Sequence, residues 1–205
     1  MIKIKSKPNS KKQIKKAVII SAMILAVMSM SVMQPFYADS TEDATATIEF
    51  TGGGITMISV PSFHFGVQSI SAAVTEYNPT NTMASIEISD LRGKMLGWNL
   101  TVSLSPFKNS IDAELETLKG AYIDITPSAF TPVSDEPGEA PTAVSNIQIT
   151  ADNTEFSVAS AGQYTGKGNW QMNLAPANVK LVVLPGSAYI GNNTADLTWT
   201  LQAAP

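Results

Sequence analysis

The chain has 205 residues, 44% hydrophobic and 15% charged, enough for one ordinary domain with a core of its own. It contains no cysteine, which excludes disulfide staples, thiolate metal sites and a cysteine nucleophile. The net charge of −4 hides an asymmetry: seven lysines precede residue 17, whereas from Asp39 onward 6 basic residues face 17 acidic ones, a net −11. So acidic a domain speaks against a nucleic-acid ligand, because phosphate neutralisation by Lys and Arg dominates that affinity.

Residues 1–38 read as a secretory signal peptide. The lysines run into AVIISAMILAVMSMSVM (Ala17–Met33) and then QPFYADS, with small Ala38 as the last residue before cleavage. An uncleaved anchor is the alternative, since about 17 apolar residues is near the lower limit for a span. Residues 39–48 form a flexible lead-in, and residues 49–205 form the domain. No second apolar segment follows, so retention at a cell surface is expected to be non-covalent.

From the lead-in onward the pattern has period two. TATIEF (Thr45–Phe50) alternates, as does ITMISV from Ile55. TGGGIT between them lacks the Lys-Ser/Thr of a phosphate loop and reads as a turn needing positive φ. SIEISD places Ile86 and Ile88 on one face. WNLTVSL does the same for Trp98, Leu100, Val102 and Leu104. Only NSIDAELETLKGA (Asn109–Ala121) has helical spacing, with Leu115 and Leu118 at i, i+3 and Gly120 as a cap. A loop excursion is the alternative there. TPSAFTPVSDEPGEAPTAVS (Thr126–Ser145) holds four prolines and three acidic residues and reads as a long exposed loop. Alternation returns in AYIDIT, NIQIT and NWQMNL, where Trp170, Met172 and Leu174 share a face. VKLVVL is a continuous apolar run, as in a strand covered on both sides, and LTWTL aligns Leu197, Trp199 and Leu201. The fold class is all-β: a single antiparallel β-sandwich or barrel-like domain with at most one short helix and a long Pro/acidic loop.

Little in this chain is suited to catalysis. The one histidine, His64 in PSFHFG, reads as a surface residue near a turn, and there is no Gly-x-Ser-x-Gly elbow. Two acidic runs, Asp112/Glu114/Glu116 and Asp135/Glu136/Glu139, lack the spacing of a calcium loop and read as solvated carboxylates. No catalytic residue, metal site or cofactor is assigned, and the protein is expected not to be an enzyme. Trp170, just past the glycines of YTGKGNW, is either a core residue or an exposed platform for stacking on a ligand.

Two W-x-L strings, in SDLRGKMLGWNLTVSLSPF and ADLTWTLQAAP, carry a resemblance. With Asp90, Arg92-Gly93, Gly97 before Trp98, the early SVPSFHFG and the GKGNW turn, they resemble the WxL domain family of Gram-positive cell-surface proteins over nearly all of residues 45–205. The resemblance implies a secreted protein that associates non-covalently with the cell wall, with peptidoglycan as ligand. It also implies a membrane-anchored partner at the surface. The alternative function is an adaptor that binds that partner's ectodomain rather than the wall. Trp98, Leu100, Trp199 and Leu201 are then the motif residues, with a primarily architectural role if their strands are neighbours and ligand contact as the other reading. A domain at −11 is not drawn to an anionic wall by its overall field, so Arg92 and Lys94 beside the first motif are candidate local contacts.

Overall fold

The structure is a computed structural model that describes residues 45–81, 84–133 and 138–204. Contacts divide the chain into Met1–Ile48 and Glu49–Pro205, and the second unit contains the whole hydrophobic core. The apolar run Ala17–Met33 and the acidic pair Asp135 and Glu136 lie outside the described residues.

Fifteen strands follow one another: β1 Ile55–Ser59, β2 Thr75–Tyr77, β3 Ala84–Asp90, β4 Trp98–Leu104, β5 Phe107–Asn109, β6 Glu116–Thr117, β7 Tyr122–Ile125 and β8 Thr131–Pro132. Then come β9 Thr142–Ala143, β10 Ile147–Thr150, β11 Phe156–Ala161, β12 Gly168–Leu174, β13 Val179–Val183, β14 Asn193–Thr194 and β15 Leu197–Ala203. They form four open antiparallel sheets, ordered β1-β3-β12-β8, β10-β7-β13-β2, β15-β4-β11-β9 and β14-β5-β6. The sheets do not close into a barrel, and the arrangement is that of a β-sandwich.

Alternation decides what is buried. Ile86, Ile88, Trp98, Leu100, Val102, Met172 and Val179 are fully enclosed, and the inward residues of all four sheets join one cluster. β13 lies between β7 and β2, and its continuous apolar run gives three consecutive buried residues. In β11 the register against β4 shifts between Ser157 and Ala159. That bulge lets both Val158 and Ala159 turn inward.

Three expectations change on folding. Asn109–Ala121 is not helical; Asn109 ends β5, Glu116–Thr117 form β6, and Leu118 has a φ of 48° that no helix tolerates. The one helical turn among the described residues is the 3₁₀ segment Pro176–Asn178. The TGGGIT glycines have no positive φ. Gly53 N–H donates to Leu91 O at 2.7 Å, and a Cβ on Gly52 would stand 2.4 Å from Arg92 O, so glycine serves close approach there rather than a turn. Thr45–Phe50 alternates in sequence yet forms no strand, because no described strand pairs with it.

The Pro-rich segment Thr126–Ser145 is largely exposed but not detached. Its β8 adds to one sheet and its β9 to another, both as two-residue edges. Between them and the core stands Phe130, buried edge-on against Trp98 with ring centroids 6.1 Å apart and planes at 76°. Phe130→Ala is expected to destabilise the fold by about 3 kcal/mol through lost burial and the cavity left beside Trp98. Urea unfolding of the variant against the unchanged chain measures it.

Candidate functional site

The two W-x-L strings occupy neighbouring strands. β15 pairs with β4 along seven residues, with Trp199 opposite Val102, Leu201 opposite Leu100 and Ala203 opposite Trp98. Both tryptophans therefore point into the core from one sheet face, four residues apart along the pair. Trp98 is 0% exposed and Trp199 8%. Leu100 is fully buried and Leu201 half-buried.

Trp98 is fixed by what surrounds it. Its cross-strand neighbours are alanines, Ala161 on β11 and Ala203 on β15, which leave room for the indole. Its Nε1–H donates to Gly166 O at 3.3 Å. A Cβ on Gly166 would meet Trp98 Nε1 at 2.8 Å, and its φ of +69° also calls for glycine. Gly97 has no room either, since a Cβ there would stand 1.9 Å from Ala161 O. Trp199 differs: its indole N–H is buried without an acceptor among the described residues.

The Asp90–Arg92 lead-in buttresses this corner. Arg92 Nε donates to Asp90 Oδ1 at 2.9 Å and Nη2 to Asp90 Oδ2 at 2.7 Å, with side chains only 10% and 2% exposed. Nη2 also donates to the carbonyls of Leu96 and Gly97, and Gly97 O accepts Ala204 N–H as well. One guanidinium thus ties the end of β3 to the start of β4, whose carbonyl also holds the end of β15. Hydrogen bonding to Asp90 raises the Arg92 pKa above its ordinary value, against the opposing effect of burial. A raised folded-state pKa means stability that is fully present below the ordinary arginine range, so the pair is constant through neutral pH. The charge of Arg92 is spent inside the protein, whereas Lys94 is exposed.

Trp170 is 2% exposed and presents no ring face to solvent. Its Nε1–H donates to Lys167 O at 2.8 Å. Two buried tryptophans thus hold the consecutive carbonyls Gly166 O and Lys167 O, and Gly166 N–H donates to Glu139 O at 2.7 Å. What they anchor is the turn Gly162–Thr165, closed by Thr165 N–H to Gly162 O at 3.3 Å. Tyr164 sits at its third position with φ 71°, a left-handed conformation normally left to glycine or asparagine. Tyr164 is 55% exposed, with Lys167 Nζ 5.9 Å from its ring centroid.

Beside this turn lies a half-open concavity of 290 Å³ lined by Met95, Leu96, Gly97, Ala161, Gly162, Gln163 and Ala204. It is built at one end of the β4–β11–β15 sheet, from the residues flanking Trp98 and the end of β15. Met95 and Leu96 expose apolar surface, Gln163 offers an amide, and Lys94 precedes Met95. Sequence reasoning did not single out Tyr164, Gln163 or Lys167. The signal was an aromatic two residues ahead of a Gly-x-Gly turn, legible only once that turn is known to face solvent. His64 is exposed, and Asp112 Oδ1 accepts Glu114 N–H at 3.0 Å within its own turn. Among the described residues no group of three or more His, Cys, Asp or Glu converges as metal ligands.

The model of the family described as "WxL domain surface cell wall-binding" matches residues 32–205. The chain belongs to the WxL domain family. No curated protein and no solved structure matches it significantly. The WxL domain is a surface, cell wall-binding domain and not an enzyme family, which places this chain's work at the cell surface. In this WxL domain both motif strings are core strands, and residues flanking them, Gly97 and Ala204 among others, line the concavity.

Two measurements test this anatomy. Trp98→Phe loses a hydrogen bond that Trp199→Phe does not, so it should be the more destabilising by about 1 kcal/mol in chemical denaturation. Arg92→Ala leaves Asp90 buried and unpaired and should cost about 3–5 kcal/mol, with Arg92→Lys recovering only part because an ammonium lacks the fork.

Proposed function

We propose that this WxL domain belongs to a secreted, non-catalytic protein that attaches to the cell wall by non-covalent binding of peptidoglycan. The Gly162–Thr165 turn and its adjoining concavity form the contact. The observation that carries this reading is Tyr164, an exposed aromatic held at a strained φ in the turn whose Gly162 and Gln163 line the concavity. Strain of this kind persists where the surrounding structure over-determines it, and it concentrates at binding sites.

The chemistry fits a glycan strand bearing peptides. The C–H face of an amino-sugar ring stacks on the open face of Tyr164, while Lys167 occupies the other. N-acetyl amides match Gln163 and the backbone of Gly97 and Gly162. Stem-peptide carboxylates find Lys167 and Lys94, a local basic pair in a domain whose overall field is repulsive. W-x-L itself then acts from beneath: it holds the platform and touches no ligand.

A second reading, an adaptor for a membrane-anchored partner's ectodomain, is favoured by Val67, Ile70 and Val74. These three side chains are exposed on the loop between β1 and β2.

Co-sedimentation of purified residues 39–205 with wall sacculi, with and without teichoic acids, tests the proposal. The folded protein should pellet with stripped sacculi at moderate salt. Tyr164→Gly relieves the backbone strain, so stability should hold or rise by up to about 1 kcal/mol while wall binding falls roughly tenfold. Unchanged binding by that variant would move the contact elsewhere. A folded, unchanged domain left in the supernatant would overturn direct wall binding and leave the partner reading.

A further inference from the structure

The edges of the four sheets are unequal. β1 is interrupted by a register shift between Met57 and Ser59, β8 and β9 are two residues long, and β8 contains Pro132. β2 has three residues and carries Glu76, paired with Lys180; β6 and β14 have two each. β10 has four. Such features are how sheet proteins keep edges from pairing with other chains. β15 has none of them. It is seven residues long, LTWTLQA, without charge or proline, and its register against β4 never shifts.

The hydrogen bonds fix which groups of β15 face outward. Ser105 N–H donates to Asp196 O and Ala204 N–H to Gly97 O, so even-numbered residues from 196 to 204 bond to β4. The N–H and C=O groups of Leu197, Trp199, Leu201 and Ala203 therefore point away from β4, along an edge that β1 of another sheet approaches. Among the described residues no hydrogen bond reaches them.

We infer that β15 is a homodimerisation edge, taking the β15 of a second copy antiparallel about a two-fold axis at Thr200. In that register Leu197 faces the second copy's Ala203, and Trp199 its Leu201. All four outward residues of each copy then pair, forming about eight backbone hydrogen bonds. The side chains match in kind. Leu197, Trp199, Leu201 and Ala203 all lie on the inner face, so apolar meets apolar. On the solvent face Thr198 meets Gln202, and Thr200 meets itself, a favourable β-branched pair.

No charge opposes the match within the strand. Repulsion between two acidic domains does oppose it, so association strengthens as salt screens them. An isologous contact closes on itself and stops at two copies. It joins two β15-β4-β11-β9 sheets into one. The two concavities, each lined by Ala204, would then stand about 27 Å apart along the strand direction, at 3.4 Å per residue.

Sedimentation velocity over a concentration series, on protein purified after expression of the full chain, reads the association. A monomer–dimer equilibrium is expected. Thr200 is exposed and meets only its own copy at the axis, so T200K and T200E should each weaken association roughly fivefold or more, and an equimolar mixture should restore it. Circular dichroism confirms that each variant is folded. Independently of any variant, amide exchange at residues 197, 199, 201 and 203 of the unchanged chain should slow as concentration rises, with 198, 200 and 202 protected throughout. A monomer at every concentration overturns the proposal. So does a T200K dimer as tight as the original, or a mixture no tighter than its components. Protection of those four amides only when a different protein is added assigns the edge to that partner and overturns the homodimer.

Discussion

Two indole N–H groups determine the shape of the exposed turn in this domain. Trp98 and Trp170 come from different sheets, yet their nitrogens hold the carbonyls of Gly166 and Lys167, adjacent residues of one loop. A buried indole needs an acceptor, and a loop carbonyl turned inward needs a donor, so each resolves the other's desolvation. The consequence reaches the surface: with Gly166 and Lys167 fixed, the preceding turn has one course, and Tyr164 is carried out into solvent on it.

The same corner depends on the close approach of three chains. Gly97 brings the start of β4 against β11, and its carbonyl receives both Arg92 and the Ala204 amide. The C-terminal strand is therefore part of the core rather than an appendage. It supplies Trp199, completes the sheet beside Trp98 and lines the concavity. W-x-L thus describes how two distant segments are made to lie side by side. Its tryptophans contribute area, packing geometry and, for Trp98, one internal hydrogen bond.

Electrostatics then separates structural charge from available charge. Of the six cations after Asp39, Arg92 is held by Asp90 and Lys180 by Glu76. Lys94 and Lys167 carry no salt bridge among the described residues. Lys108 and Lys119 are exposed elsewhere, so residues 39–205, at −11 overall, still offer cations on their surface, and such local positive charge bears on an anionic surface more than the sum does.

Much of this was legible in the residues. Period-two alternation in SIEISD, WNLTVSL, NWQMNL and LTWTL gave the strands and their buried faces, because a side chain's face in a strand depends only on its own position. The paired W-x-L strings with their flanks gave the family. The Leu115/Leu118 spacing suggested a helix that does not form, because two residues at i, i+3 do not outweigh strand pairing of Asn109 and Glu116–Thr117 and Leu118 in the left-handed region. Glycine in TGGGIT signalled a backbone constraint but not its kind, since close approach and positive φ leave the same residue in a sequence. Only the tertiary structure could show that the motif strands are neighbours, that Arg92 is internally committed, that Trp170 is enclosed and that Tyr164 is not. Each of those is a contact between residues distant in the chain, and local periodicity carries no information about what lies across the sheet.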